Sequence, residues 1–215
     1  MNRKKQTQEF EWGGVHPFSY HPFIFHFVPD LRDKKSVDCG CGKGIWGYLM
    51  RTTRDFGKKG EIYGIDLKKD YLEFVKKHNV YDKTYNTDIT KLPFKKNEID
   101  FLICSEVIEH LTEIDGKEFL QEVDRVVKPG GRAIITTPNV EMDTFIDEGP
   151  DSHSSLWSPE YFRKKGFKVY GTGVRIAPGI DKWYTLPVLA LGYVLTPISY
   201  FIPEIGGFMI AVKDY

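Results

Sequence analysis

Residues 34 to 47 read Lys34-Lys35-Ser36-Val37-Asp38-Cys39-Gly40-Cys41-Gly42-Lys43-Gly44-Ile45-Trp46-Gly47. A short strand ending at Val37 and Asp38 runs into a loop with glycine at 40, 42 and 44, and an apolar helix start, Ile45-Trp46, follows. Glycine lets the backbone take positive φ and come close to a ligand that any Cβ would push away. The helix start behind the loop presents unpaired N–H groups to an anionic group. The stretch therefore predicts a nucleotide-like cofactor site on an α/β sheet. Gly42, Gly44 and Gly47 also fit the dinucleotide spacing G-x-G-x-x-G. Tight turns use glycine too, so the choice of cofactor rests on what comes downstream.

Outward from this turn the pattern alternates strand and helix. Strands are predicted at 36–38, 61–66, 81–85, 99–104, 132–137, 167–175 and 207–213, and helices at 45–54, 70–78 and 117–127. The last of these helices carries Phe119, Leu120, Val123 and Val126 at helical spacing and is stopped by Pro129-Gly130-Gly131. Such alternation argues a mostly parallel sheet with helices on both faces. No repeat or low-complexity linker divides it, so residues 1–215 read as one domain. Its parts are an arm at 1–33, a core at 34–139 and a further region at 140–215.

The 215 residues suffice for one α/β core. The 30 Lys+Arg balance the 30 Asp+Glu, so no global field draws nucleic acid. Cys39, Cys41 and Cys104 fit no disulfide framework, which points to a reducing, cytoplasmic setting. No second Cys or His pair stands at zinc spacing, so no metal is implied. The charged N-terminus lacks the apolar core of a secretory signal. Residues 10–29 are dense in aromatics, His and Pro. Exposing them all would be costly, so they read as an arm packed on the domain or a lid with Tyr20 or His21 facing the cofactor.

The downstream residues carry a resemblance. Asp38 with Gly40, Gly42 and Gly44, an acid at the end of the second strand (Asp66), and Asn86-Thr87-Asp88-Ile89-Thr90-Lys91-Leu92-Pro93-Phe94 come in order. Ile103-Cys104-Ser105-Glu106-Val107-Ile108-Glu109-His110-Leu111 follows, then Val127-Lys128-Pro129-Gly130-Gly131 leading to Thr137-Pro138-Asn139. This order resembles the class I S-adenosylmethionine-dependent methyltransferases, type 11 or quinone-biosynthesis-like group, over about half the chain. The resemblance implies a Rossmann-like, doubly wound, seven-stranded sheet whose last strand is antiparallel. It implies S-adenosyl-L-methionine as cofactor. Asp38 would organise the loop near the methionine amino group, and Gly40, Gly42 and Gly44 would admit methionine and ribose. Asp66 would take the ribose hydroxyls, with Leu67 beside it. Asp88 would take the adenine amino group and the Ile89 N–H a ring nitrogen, while Cys104 and Ser105 line the site.

Beyond Asn139, the order His153, Ser158-Pro159-Glu160, Gly166-Phe167 resembles the branch acting on small molecules, quinone precursors included. Methyl transfer to oxygen needs a proton removed, and a neutral imidazole suits that. His153, and secondarily His110, are the candidate bases. Residues 183–203 form an uncharged apolar run inserted before the last strand. Its length allows a membrane span, but the following strand must return to the same sheet. The expectation is two short helices broken near Pro197, acting as an acceptor cap, a dimer face or a membrane-surface segment. The expected function is methyl transfer to an oxygen of a small or lipid-linked acceptor, in a cytoplasmic protein, peripheral at the membrane if the run meets lipid. The alternatives are a non-catalytic S-adenosylmethionine-binding module with a protein or membrane partner, an NAD-dependent oxidoreductase, and an RNA methyltransferase, the last disfavoured by zero net charge.

Overall fold

The computed structural model describes residues 21–55, 59–139, 153–173 and 185–215. Tyr20 and the arm before it, the residues from Val174 to the end of the expected sixth strand, and Trp183-Tyr184 lie outside these. Seven strands form one sheet: β1 Lys35–Cys39, β2 Glu61–Asp66, β3 Lys83–Asn86, β4 Ile99–Ser105, β5 Val127–Pro138, β6 Lys168–Thr172 and β7 Phe208–Asp214. The order is β3-β2-β1-β4-β5-β7-β6, and β7 runs antiparallel to both its neighbours while the other pairings are parallel. The helices are α1 His21–Phe25, α2 Ile45–Thr53, α3 Lys69–Lys77, α4 Glu113–Val126, α5 Pro159–Lys164 and α6 Thr185–Phe201.

Side chains of a strand alternate between the two faces, and here both faces are buried. On one face Leu102 and Cys104 of β4 join Val37, Ala133 and Ile135 under Phe119, Leu120 and Val123 of α4. On the other, Phe101 and Ile103 join Ile62 and Ile134 under Trp46 and Met50 of α2 and Leu72 and Val75 of α3. α1 and the residues after it close this second face: Ile24, Phe27, Val28 and Leu31 enter its core, and the His21 ring stands edge-on to Trp46 at 5.1 Å.

Three expectations change. α4 begins at Glu113, a turn earlier than 117, because the Thr112 hydroxyl accepts from the Asp115 N–H and caps the helix. α4 also ends at Val126, and Val127 already pairs with Ile99, so Pro129-Gly130-Gly131 is an irregularity within β5 and not a turn ahead of it. Gly130 N–H donates to the Tyr215 carbonyl there, at 2.7 Å. Finally, residues 185–201 are one helix with Pro197 inside it, not two. Proline removes a helix N–H and crowds the preceding turn, yet packing holds the last turn in place. The Ser199 backbone lies against Gly171 of β6, and Tyr200 stacks with Tyr170 and Phe27.

Gly171 is the hinge of this packing. A Cβ there would stand 2.3 Å from the Ser199 carbonyl oxygen and 2.8 Å from Pro203 Cα, both backbone atoms that cannot swing aside. Gly171→Ala should therefore lose about 1–3 kcal/mol in urea unfolding; an unchanged midpoint would mean that α6 adjusts freely on β6.

Candidate cofactor and acceptor site

β1 has β2 and β3 on one side and β4, β5, β7 and β6 on the other. The chain leaves the carboxyl ends of β1 and β4 toward opposite halves of the sheet, which opens a crevice where α/β sheets receive ligands. The sequence-predicted residues Asp38, Gly40, Gly42, Gly44, Asp66, Leu67, Asp88, Ile89, Cys104 and Ser105 all stand at the carboxyl ends of β1 to β4 or just beyond them.

Asp38 is buried. The Tyr81 hydroxyl donates to its Oδ2 at 2.5 Å, and the Gly47 N–H donates to it as well. Burial pushes its carboxyl up to about 7; the Asp66 charge adds to the rise, and the two donors oppose it. The loop glycines at 40, 42 and 44 take φ of 72°, 49° and 86°, the left-handed region that other residues enter only with strain. Their surroundings separate their roles. A Cβ on Gly40 would strike Val107 at 2.3 Å, on Gly44 Val80 at 2.9 Å, and on Gly47 the Tyr81 ring at 2.3 Å. On Gly42 it would meet nothing within 4 Å. Of these four, Gly42 alone faces open space, and the others clear room for the protein itself.

Asp66 is aimed into this loop. Its Oδ2 accepts the Gly42 N–H at 2.8 Å and its Oδ1 the Lys68 N–H at 2.8 Å. Asn86 at the end of β3 donates to the carbonyls of Asp66 and Leu67, at 3.0 and 2.8 Å. Leu67 is 62% exposed, an apolar side chain left at the sheet edge. Asp88 accepts the Thr90 N–H and hydroxyl on Oδ1, both at 2.9 Å, and so starts the short helical turn Ile89–Lys91, whose Ile89 is buried. Arg125 of α4 clasps the following Leu92-Pro93-Phe94 through the carbonyls of Leu92 and Phe94, at 3.0 and 2.6 Å. Glu122 holds the Arg125 guanidinium and accepts the Leu92 N–H at 2.8 Å.

The Cys104 thiol lies wholly within the core and burial pushes its pKa far up, so any contact it offers a ligand is through its backbone. The Ser105 hydroxyl pairs with that of Thr136 at 2.9 Å. Glu106, next in line, takes φ 56° and is held there by Thr136, whose carbonyl accepts its N–H at 3.1 Å and whose hydroxyl donates to its carboxylate at 2.7 Å.

His110 and His153, 43 positions apart in sequence, come together with ring centroids 5.2 Å apart. The Glu109 carbonyl accepts the N–H groups of Ser154 and Ser155 at 2.7 and 3.0 Å, which ties the loop to the turn Ile108–His110. The Trp157 indole N–H secures Ser155 at 2.8 Å. One ligand atom each from buried Glu109, exposed His110 and half-buried His153 lie within 4.8 Å of one another, a group able to share a proton or hold a metal ion. Sequence reasoning missed Tyr81, Asn86 and Glu109 as parts of the site. Asn86 and Glu109 stand within the quoted motifs without a role of their own there, and Tyr81 reads only as a strand residue, since each acts on a residue from another element or through a buried group.

Residues 37–135 match Methyltransf_11, a methyltransferase domain. An uncharacterized protein of Methanocaldococcus jannaschii is 30% identical over 155 residues, 70% of this chain and 63% of its own length. The chain thus spans less than two thirds of that relative. A ubiquinone biosynthesis O-methyltransferase of Hydrogenovibrio crunogenus is 24% identical over 211 residues, covering 86% of this chain and 84% of that protein. The structure of a SAM-dependent methyltransferase from Archaeoglobus fulgidus is similar with a TM-score of 0.64, at 17% identity over 92% of each chain. Residues 37–135 thus match a methyltransferase domain, and the sheet shares its fold with that SAM-dependent methyltransferase. Of the glycines at dinucleotide spacing, Gly44 and Gly47 accommodate Val80 and Tyr81, and Gly42 faces open space.

Folded Asp38 keeps its proton up to about pH 7, whereas an unfolded aspartate loses it near 3.9. The stability this group contributes is present at acid pH and lost as pH rises through that window. With no cofactor added, Asp38→Asn should unfold like the parent near pH 4 and prove more stable at pH 8, by on the order of a few kcal/mol. Parallel stability curves would show that burial of this carboxyl is relieved in solution.

Proposed function

We propose that the chain transfers the methyl group of S-adenosylmethionine to an oxygen of a small or lipid-linked acceptor. The observation that carries this reading is the group Glu109, His110 and His153 beside the crevice. The quinone-biosynthesis relative supports it. On this reading 1–33 is an arm, 34–139 holds the cofactor and 140–215 serves the acceptor.

The cofactor, when bound, supplies an electrophilic methyl on sulfur. Asp38 pairs with its ammonium group, the open face of Gly42 admits its backbone, and Asp66 accepts from the ribose hydroxyls. Asp88 accepts from the adenine amino group, the Ile89 N–H meets a ring nitrogen, and Leu67 covers the base. Ser105 and the Cys104 backbone line the same wall. A ring nitrogen of His153 takes the acceptor's hydroxyl proton. His110 and the Glu109 carboxylate steady the charge so formed. Alignment of acceptor and methyl and exclusion of water supply the rest.

The acceptor's character is argued from α6. Its sequence holds no charge, and Val194, Ile198 and Phe201 are 72%, 48% and 80% exposed, while Thr196 and Ser199 are turned inward and buried. This inverts the usual amphipathic pattern. Among the described residues no helix is long and apolar enough to cross a membrane. The stripe is read as a surface for a hydrophobic acceptor or the bilayer holding it; a homodimer face is the competing use.

Asp66→Ala should weaken S-adenosylhomocysteine binding by about 2–3 kcal/mol in calorimetry. His153→Ala should keep that affinity and lower kcat toward a phenolic acceptor by about 10²–10⁴-fold. Turnover abolished by a chelator and restored by a divalent cation would make the histidines ligands instead of a base. Binding without turnover of any acceptor would favour the non-catalytic module.

Val194→Ser with Phe201→Ser should leave stability within about 0.5 kcal/mol and reduce sedimentation with phosphatidylcholine vesicles. Loss of a dimer in its place, with vesicle binding unaltered, would assign the stripe to a subunit interface.

A further inference from the structure

Val80, Tyr81 and Asp82 cross beneath the glycine loop just before β3, and the surrounding elements give way to them. Gly44 leaves space for Val80, and Gly47 for the Tyr81 ring. Gly64, in the middle of β2, does the same from the other side: a Cβ there would stand 2.7 Å from Tyr81 Cδ2. The backbone is fastened on both sides of the ring. Val80 N–H donates to the Val75 carbonyl at 3.1 Å, Asp82 N–H to the Ile62 carbonyl at 2.9 Å, and Ile62 N–H to the Asp82 carboxylate at 2.7 Å. The buried ring thus threads between α2 and β2 and ends with its hydroxyl 2.5 Å from Asp38 Oδ2. A core filler would need no hydroxyl at that end, and a Phe of the same shape would occupy the same channel.

We propose that Tyr81 is a positioning residue for the amino-acid end of the cofactor, acting through Asp38. This rests on the reading in which Asp38 meets the cofactor's ammonium group. Donation from Tyr81 fixes the rotation of the carboxylate and favours its charged form. The ammonium therefore meets a carboxyl held in one orientation and ionised at lower pH than it would be without this donor. The other groups facing Asp38 do not replace this donor. Asp66 at the end of β2 opposes its charge, and α2 faces it with the Gly47 N–H. The thiols of Cys39, Cys41 and Cys104, from β1, the loop and β4, are pushed up by burial and stay neutral. The Tyr81 hydroxyl is itself pushed far up, by burial first and by Asp38 next, so it remains a donor across the working range.

The test compares two probes on Tyr81→Phe. S-adenosylhomocysteine carries the amino acid; methylthioadenosine has the same adenosine and thioether without it. Between pH 5 and 9 the variant should bind S-adenosylhomocysteine on the order of tenfold to a hundredfold more weakly at neutral pH. Its affinity should rise with pH at a higher midpoint than the parent's. Methylthioadenosine should bind both proteins alike. In an Asp38→Asn background the Tyr81→Phe effect should shrink to near nothing. Equal weakening of both probes, or an unmoved pH midpoint, would reduce Tyr81 to a packing residue and overturn the proposal. If the parent and Asp38→Asn bind S-adenosylhomocysteine equally, the assignment of Asp38 to the ammonium fails, and the proposal falls with it.

If Tyr81→Phe fails to fold, the parent with labelled tyrosine supplies the second measurement. The Tyr81 hydroxyl proton resonance should shift on adding S-adenosylhomocysteine and stay still with methylthioadenosine. A resonance indifferent to both probes would overturn the proposal.

Discussion

The buried carboxylate of Asp38 is the constraint that the surrounding structure answers. A carboxyl group taken out of water must find donors or remain protonated. Here one donor comes from the first turn of α2 and another from the approach to β3. Both follow β1 in sequence, one directly and the other past β2 and α3, yet both converge on its carboxyl end. Their convergence dictates the small residues around it, since Gly47 and Gly64 must lack side chains for Tyr81 to pass.

This alters how a glycine-rich loop is read. Three of the four glycines at 40, 42, 44 and 47 are required by neighbours within the protein, and Gly42 alone faces open space. The carboxylate of Asp66 holds that glycine's N–H, so the ribose-side acid and the open loop position form one hydrogen-bonded unit. On the adenine side the coupling is longer. Glu122 and Arg125 of α4 grip the Leu92–Phe94 backbone, which sets where the turn after Asp88 lies. A charged helix pair thereby shapes a binding loop without belonging to it.

The acceptor side is organised by different forces. Backbone hydrogen bonds from Ser154 and Ser155 to Glu109 bring His153 to His110. α6 meets β6 through small residues, with Ser199 against Gly171, because close backbone approach leaves no room for larger ones. Val194, Ile198 and Phe201 are then left pointing outward. The Ser199 hydroxyl is satisfied within the helix by the Thr196 carbonyl at 3.0 Å, so the inward polar group carries no unmet bond.

The sequence by itself determined the seven strands, their alternation with helices, the glycine turn and the ordered acids Asp38, Asp66 and Asp88. These are local signals: periodicity, turn residues and motif order depend on neighbours a few positions away. Tertiary structure decided the rest. Thr112 and Val127 moved the ends of α4 through a cap and a strand pairing. Pro197 signalled a break that packing against β6 overrode, because one lost hydrogen bond weighs less than a buried turn. Tyr81 read as a strand residue and Glu109 as part of a signature. Their roles arise only when β2, α2 and the loop around His153 are brought together, since the partner of a buried polar group is set by space and not by position in the chain.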